Sequence, residues 1–168
     1  MKHLILMRHA NAGPAADDRE RPLSAQGRSE ALRMGRALEA LATRGFRPAW
    51  ALVSPARRAQ ETLAGVRSGL PYLTGAETDD ALYLGSPDRL LSRLQRLPDE
   101  TAQLLLVGHN PGLSELAQLL VGPGEGNLGL APAACAALRI EQRWCELAPG
   151  CAELVELLRP GDAQARRE

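Results

Sequence analysis

Two of the three histidines in this 168-residue chain, His9 and His109, each close a short apolar run, and arginines stand near both. Arg8 precedes His9, and the segment Ser54-Pro55-Ala56 leads into Arg57 and Arg58. A neutral imidazole is a competent nucleophile or base near neutral pH. A guanidinium offers a planar, permanently charged fork that suits phosphate oxygens. Arg8, His9, Arg58 and His109 on converging loops therefore make a set that could hold and attack a phosphoryl group. Taken singly, each piece has a plainer reading: a surface pair, a helix start, or a turn in Gly108-His-Asn-Pro111. What favours the pocket is that all three segments follow predicted strands, at the carboxyl ends where open α/β sheets place their ligands.

The elements that must position these residues can be read from the apolar pattern. His3–Met7, Trp50–Val53 and Gln103–Val107 read as strands. Ser24 is the expected N-cap of a first helix, with Leu32, Gly35, Leu38, Leu41 and Ala42 at three- and four-residue steps up to Gly45. Arg57–Arg67 reads as a second helix, Ser86-Pro87-Asp88 opens a third through Leu97, and Gly112–Val121 is a fourth. The Gly- and Pro-rich stretch 122–132 reads as an extended loop, followed by strands at Cys135–Ile140 and Cys151–Leu158. Alternating strands and helices predict an α/β fold, a three-layer α/β/α sandwich on a mostly parallel central sheet. No linker divides the chain, so residues 1–159 are expected to form one domain, with a polar, frayed tail over 160–168.

Composition narrows the partners. Lys+Arg and Asp+Glu both count 20, so no net field draws the chain to nucleic acid or an anionic membrane. Aromatic residues are 3%, too few for a base-stacking platform. Nineteen of the 20 basic residues are Arg, and Lys2 is the single Lys. Cys135, Cys145 and Cys151 form no CxxC pair, which argues against a disulfide framework or a zinc cluster. The apolar run Leu4–Met7 is too short for a signal peptide, and a cytoplasmic protein with no membrane span is the expectation.

Four segments in order carry a resemblance: Arg8-His9-Ala10, Arg21-Pro-Leu-Ser-Ala-Gln-Gly27, Ser54-Pro-Ala-Arg-Arg-Ala-Gln-Glu-Thr62 and Val107-Gly-His109. Together they resemble the histidine phosphatase superfamily, with its phosphoglycerate mutase-like fold, and within it the small phosphohistidine phosphatases of the SixA type. The resemblance runs from the first strand to about Arg159. It departs at Ala10, where the superfamily motif has glycine; a methyl there could crowd the nucleophile or demand a negative φ.

The resemblance implies that His9 is the nucleophile, that a phosphohistidine enzyme intermediate forms, and that Arg8, Arg58 and His109 grip the phosphoryl oxygens, His109 best when protonated. One nitrogen of His9 must then donate to a fixed acceptor, with a backbone carbonyl expected. Arg57 is the rival of Arg58, but the two side chains diverge by about 100° on a helix. Arg21, Ser54 and Asn110 are candidates for substrate binding, the last two as hydrogen-bonding supports, and an ion pair of Arg21 with Asp17, Asp18 or Glu20 is an equal alternative. No metal or other cofactor is expected. In ester-cleaving relatives a Glu after the second helix protonates the leaving group; here the matching stretch is Glu77–Tyr83, with Asp80, ahead of Glu77 and Asp79, as the candidate acid, although three carboxylates in one loop more often form a solvated face. An imidazole leaves more easily than an alkoxide, so a pocket without a strong acid suits phosphohistidine. The expected substrate is a phosphohistidine on a phosphorelay signalling protein, with inorganic phosphate as product and pocket ligand. The alternatives are a small-molecule phosphomonoesterase on the same scaffold and a non-catalytic phosphate-binding adaptor.

Overall fold

The strands that flank the site are apolar on both faces, and this is what places them mid-sheet. In the computed structural model, which describes residues 1–162, β1 is Lys2–Arg8, β2 Trp50–Val53, β3 Gly75–Thr78, β4 Gln103–Gly108, β5 Cys135–Ile140 and β6 Ala152–Leu158. They form one sheet in the order β3-β2-β4-β1-β5-β6. β3, β2, β4 and β1 pair in parallel, and β5 runs antiparallel to both β1 and β6. Side chains alternate across a strand. Accordingly Ile5, Met7, Val53, Leu105 and Val107 enter one buried cluster, and Leu4, Leu6, Leu52, Leu104 and Leu106 enter another.

Helices α1 (Ala25–Leu41) and α2 (Arg57–Arg67) cover the first face; α3 (Pro87–Gln95) and α4 (Gly112–Val121) cover the second. The result is the expected three-layer α/β/α sandwich, mostly parallel. Ser24 and Ser86 cap α1 and α3 through their hydroxyls, which accept from the amides of Gly27 and Arg89 at 3.0 and 3.2 Å. Among the described residues no helix is long and apolar enough to cross a membrane.

Four expectations need correction. β3 carries no apolar run because it is an edge strand whose residues Ala76, Glu77 and Thr78 are exposed. Leu32 is 46% exposed; the buried stripe of α1 is Ala31, Met34, Gly35, Leu38 and Leu41. α1 ends at Leu41 in a tight turn over 42–44, and α3 ends at Gln95 rather than Leu97. The 122–132 loop is present as expected apart from a single turn over Pro123–Glu125, and buried Leu128 and Leu130 anchor it. Of the tail 160–168, residues 163–168 lie outside the described residues.

Candidate active site

Strand register brings the two histidines together. Arg8 of β1 stands opposite Gly108 of β4, so the next residues along these parallel strands are His9 and His109. The His9 amide donates to the Gly108 carbonyl at 3.0 Å, and the two imidazole centroids are 5.1 Å apart. β2, on the other side of β4, delivers Ser54 and then the first turn of α2. A cavity of about 340 Å³ opens at these strand ends, lined in part by Arg8, His9, Arg21, Arg58 and His109. Larger clefts of about 710 and 770 Å³ lie elsewhere and contain no histidine, so size alone does not find this site.

His9 Nδ1 lies 2.8 Å from the Ala10 carbonyl. A carbonyl can only accept, so Nδ1 carries the proton and Nε2 keeps its lone pair. Arg58 Nε donates to that Nε2 at 3.3 Å. Burial, opposed by the Ala10 carbonyl and assisted by Arg58, Arg8 and Arg21, pushes the imidazole from its ordinary 6.5 down to about 4. Ala10 does not crowd the site: its φ is not positive, and its methyl is fully buried in the core. Its amide donates to Thr62 Oγ1 at 3.0 Å, and Thr62 donates to the Arg58 carbonyl at 2.6 Å.

His109 is held by a different arrangement. Arg58 Nη2 donates toward Nδ1 at 3.3 Å, which leaves Nε2 to donate to Ser54 Oγ at 2.7 Å. Burial, then His9 and Arg58, pushes this imidazole down to about 3, with Asp18 pulling the other way. In the ligand-free pocket His109 is therefore neutral. Ser54 is fully buried and its hydroxyl also accepts from the Ala56 amide at 3.2 Å. It supports His109 from behind and does not line the cavity.

Arg58, 3% exposed, is the arginine that turns inward, while Arg57 is exposed and pairs with Glu61 at 2.8 Å. The Arg58 fork reaches the Asp18 carbonyl through Nη1 at 2.6 Å and the Asp18 carboxylate through Nη2 at 3.1 Å. Tyr83 donates its hydroxyl to the same carboxylate at 2.5 Å. That bond, with help from Arg58, holds the Asp18 carboxyl down at about 2 against partial desolvation. Arg21 lines the cavity and makes the ion pair with Asp18 that is its alternative reading, through Nη1 at 3.4 Å; its Nε donates to the Gly13 carbonyl. Arg8 donates from Nη1 to the Leu130 carbonyl at 3.1 Å, and its buried Nε has no partner. Arg8 is also a lining residue of the cavity. Asn110 lines the cavity, but its amide is spent on the Leu130 carbonyl and on Ser114.

Asp80 is exposed and absent from the cavity wall, because the turn over 80–82 directs buried Leu82 into the core instead. The carboxylate in the pocket is Asp18. Sequence reasoning also missed Tyr83, and Glu30 and Glu61, whose carboxylates accept from the Asn11 and Leu23 amides at 3.0 and 2.7 Å and pin the loop before α1. Glu61 and Thr62 lay inside the quoted motif, which was the available signal. Among the described residues no group of three His, Cys, Asp or Glu is placed to hold a metal ion.

No family model matches the chain. A curated relative, an uncharacterized protein of Mycobacterium tuberculosis, is 32% identical over 161 residues, 89% of this chain and 96% of its own. Among solved structures, the Nakamurella multipartitia protein named phosphohistidine phosphatase SixA is 31% identical with a TM-score of 0.80, over 95% of this chain and 96% of that one. The chain belongs to the SixA-type branch of the histidine phosphatase superfamily. A protein histidine phosphatase SixA bound to tungstate is 28% identical with a TM-score of 0.79, over 95% and 98% of the two chains. Membership in the SixA branch assigns this chain phosphatase function and a fold of phosphoglycerate mutase type. In this SixA-type chain, the histidine phosphatase motif residues Arg8, His9, Arg58 and His109 converge on one cavity.

Proposed function

We propose that this chain is a metal-independent phosphohistidine phosphatase with His9 as nucleophile. The observation that carries the proposal is the contact of His9 Nδ1 with the Ala10 carbonyl, which holds the proton there and leaves Nε2 unprotonated beside the Arg58 guanidinium. Nε2 attacks phosphorus, a P–Nε2 bond forms, and the P–N bond of the substrate breaks in line. The substrate ring, already protonated on its other nitrogen, departs as neutral imidazole with the electron pair of the broken P–N bond. Water then cleaves the P–Nε2 bond, releasing inorganic phosphate and neutral His9. Arg58, Arg8 and His109 receive the phosphoryl oxygens, His109 gaining a proton as the anion enters.

The acid side favours a nitrogen leaving group. Asp18 is held ionised by Tyr83 and Arg58, and Asp80 lies outside the cavity. Neither supplies the proton that an alkoxide needs, whereas imidazole, with an ordinary pKa near 6.5, needs much less help. The substrate is then a phosphohistidine on a signalling protein of the phosphorelay kind. Packing of the Ala10 methyl into the core removes the feature that most favoured a non-catalytic adaptor.

The test is phosphate release, with EDTA present, from a phosphohistidine-bearing protein and from p-nitrophenyl phosphate. Wild type and His9→Ala are compared. Faster cleavage of the phosphohistidine protein, abolished in His9→Ala, is expected. Preference for the ester would make the chain a phosphomonoesterase, and no turnover of either would make it a binding domain.

A further inference from the structure

Leu84 combines three properties that packing does not explain. It is 57% exposed, it adopts a left-handed backbone with φ of +49°, and it lines the cavity that holds His9. A branched side chain in that region is uncommon and strained, and glycine or asparagine would adopt it at less cost. The residues on either side of Leu84 are closely held. Leu82 before it is buried in the core, and Tyr83 donates to Asp18. A Cβ on Gly85 after it would lie 2.5 Å from the Ala81 carbonyl oxygen. Helix α4 presses on the same point, since a Cβ on Gly112 would come within 1.9 Å of the Gly85 carbonyl oxygen. The turn thus holds a large apolar side chain in water at a fixed place beside His109 and Tyr83, whose rings meet edge-on at 5.5 Å.

We propose that Leu84 determines leaving-group specificity, forming an apolar lip on which the imidazole of a protein-borne phosphohistidine lies. The proposal rests on the phosphohistidine reading above. In-line transfer to Nε2 requires the leaving atom to lie on the far side of phosphorus from His9, so the leaving group extends toward the mouth. Apolar Leu84, Ala12 and Pro132 are part of the cavity lining. Two of the neighbouring polar side chains are already bonded within the chain: Asn110 to Leu130 and Ser114, Arg21 to Gly13 and Asp18. Leu84 itself offers no partner to the hydroxyls of a polyol leaving group, whereas a flat ring would cover its apolar surface.

The experiment compares wild type, Leu84→Gly and Leu84→Asn on a phosphohistidine-bearing protein and on phosphoramidate, whose leaving group is ammonia and has no ring. Both replacements accept a positive φ, so the fold is retained and is checked by the thermal midpoint. The ratio of kcat/KM values, protein over phosphoramidate, is expected to fall about tenfold or more in both variants, chiefly through KM. A ratio within about twofold of wild type overturns the role of Leu84, including the case where both substrates suffer equally. If wild type itself fails to release phosphate from the phosphohistidine protein, the functional reading fails first and takes this one with it.

Discussion

Arg58 Nε faces His9 Nε2 across 3.3 Å, and the other end of the same guanidinium is closed by the Asp18 carboxylate at 3.1 Å. One buried arginine therefore joins the proposed nucleophile to the single carboxylate seen on the cavity wall. An incoming phosphoryl group competes with Asp18 for that fork. A carboxylate near a dianion also repels it.

Asp18→Asn should accordingly tighten inhibition by inorganic phosphate, by about three- to tenfold, because the like charge is removed while the loop stays pinned by Glu30 and Glu61. Competition assays at several phosphate concentrations read this directly. Weaker phosphate binding would mean that Asp18 matters more for holding Arg58 in place than for opposing the ligand.

The two site histidines set a pH response. Their folded values, about 4 for His9 and about 3 for His109, lie below the ordinary 6.5. As pH falls through 6.5 the unfolded chain takes up protons that the folded chain refuses, so stability drops as pH falls from 6.5 toward 4. Imidazole NMR titration in phosphate-free buffer should show both midpoints well below 6.5, and phosphate should move that of His109 upward. An ordinary midpoint for His9 would contradict the burial that pushes it down.

Much of this site was legible because its pieces are local. The pairs Arg8-His9 and Gly108-His109 follow apolar runs buried on both faces, and such runs identify central parallel strands. Choosing Arg58 over Arg57 needed only the motif and helical geometry. Asp18 and Tyr83 were not legible in the same way. Their bond joins residues 65 positions apart, through a loop and a turn with no periodic pattern. Asp80 is exposed and off the cavity wall, in line with the solvated face that three carboxylates in one loop suggest, but chain position alone says nothing about which way the turn over 80–82 faces. β3 was missed for the reason that it is an edge: polar residues there need no burial.

Loss of a single phosphoryl-gripping donor gives the largest kinetic effect. Arg58→Ala should lower kcat/KM by about 10²–10³, or roughly 3–4 kcal/mol of transition-state stabilisation. Arg57→Ala, whose side chain pairs with Glu61 on the surface, should change it less than about twofold. Steady-state kinetics on the same substrate separate the two. Equal losses would mean that the exposed arginine reaches the substrate after all.

Thr62→Val tests whether the nucleophile is held through the backbone of Ala10. The Thr62 hydroxyl accepts from the Ala10 amide and donates to the Arg58 carbonyl, entirely within the core. Valine matches the shape but leaves a buried amide without a partner, which costs about 1–3 kcal/mol. It also loosens the backbone of Ala10, whose carbonyl in the next peptide fixes His9 Nδ1 at 2.8 Å, so the proton can move to Nε2 and block attack. The expected outcome is a lower thermal midpoint together with a kcat loss of about tenfold, and a shifted Nδ1–Nε2 tautomer ratio in the His9 nitrogen spectrum. Thr62→Ser retains the hydroxyl and should restore both rate and tautomer, whereas a destabilised Thr62→Val with normal kcat would reduce Thr62 to a purely structural contact.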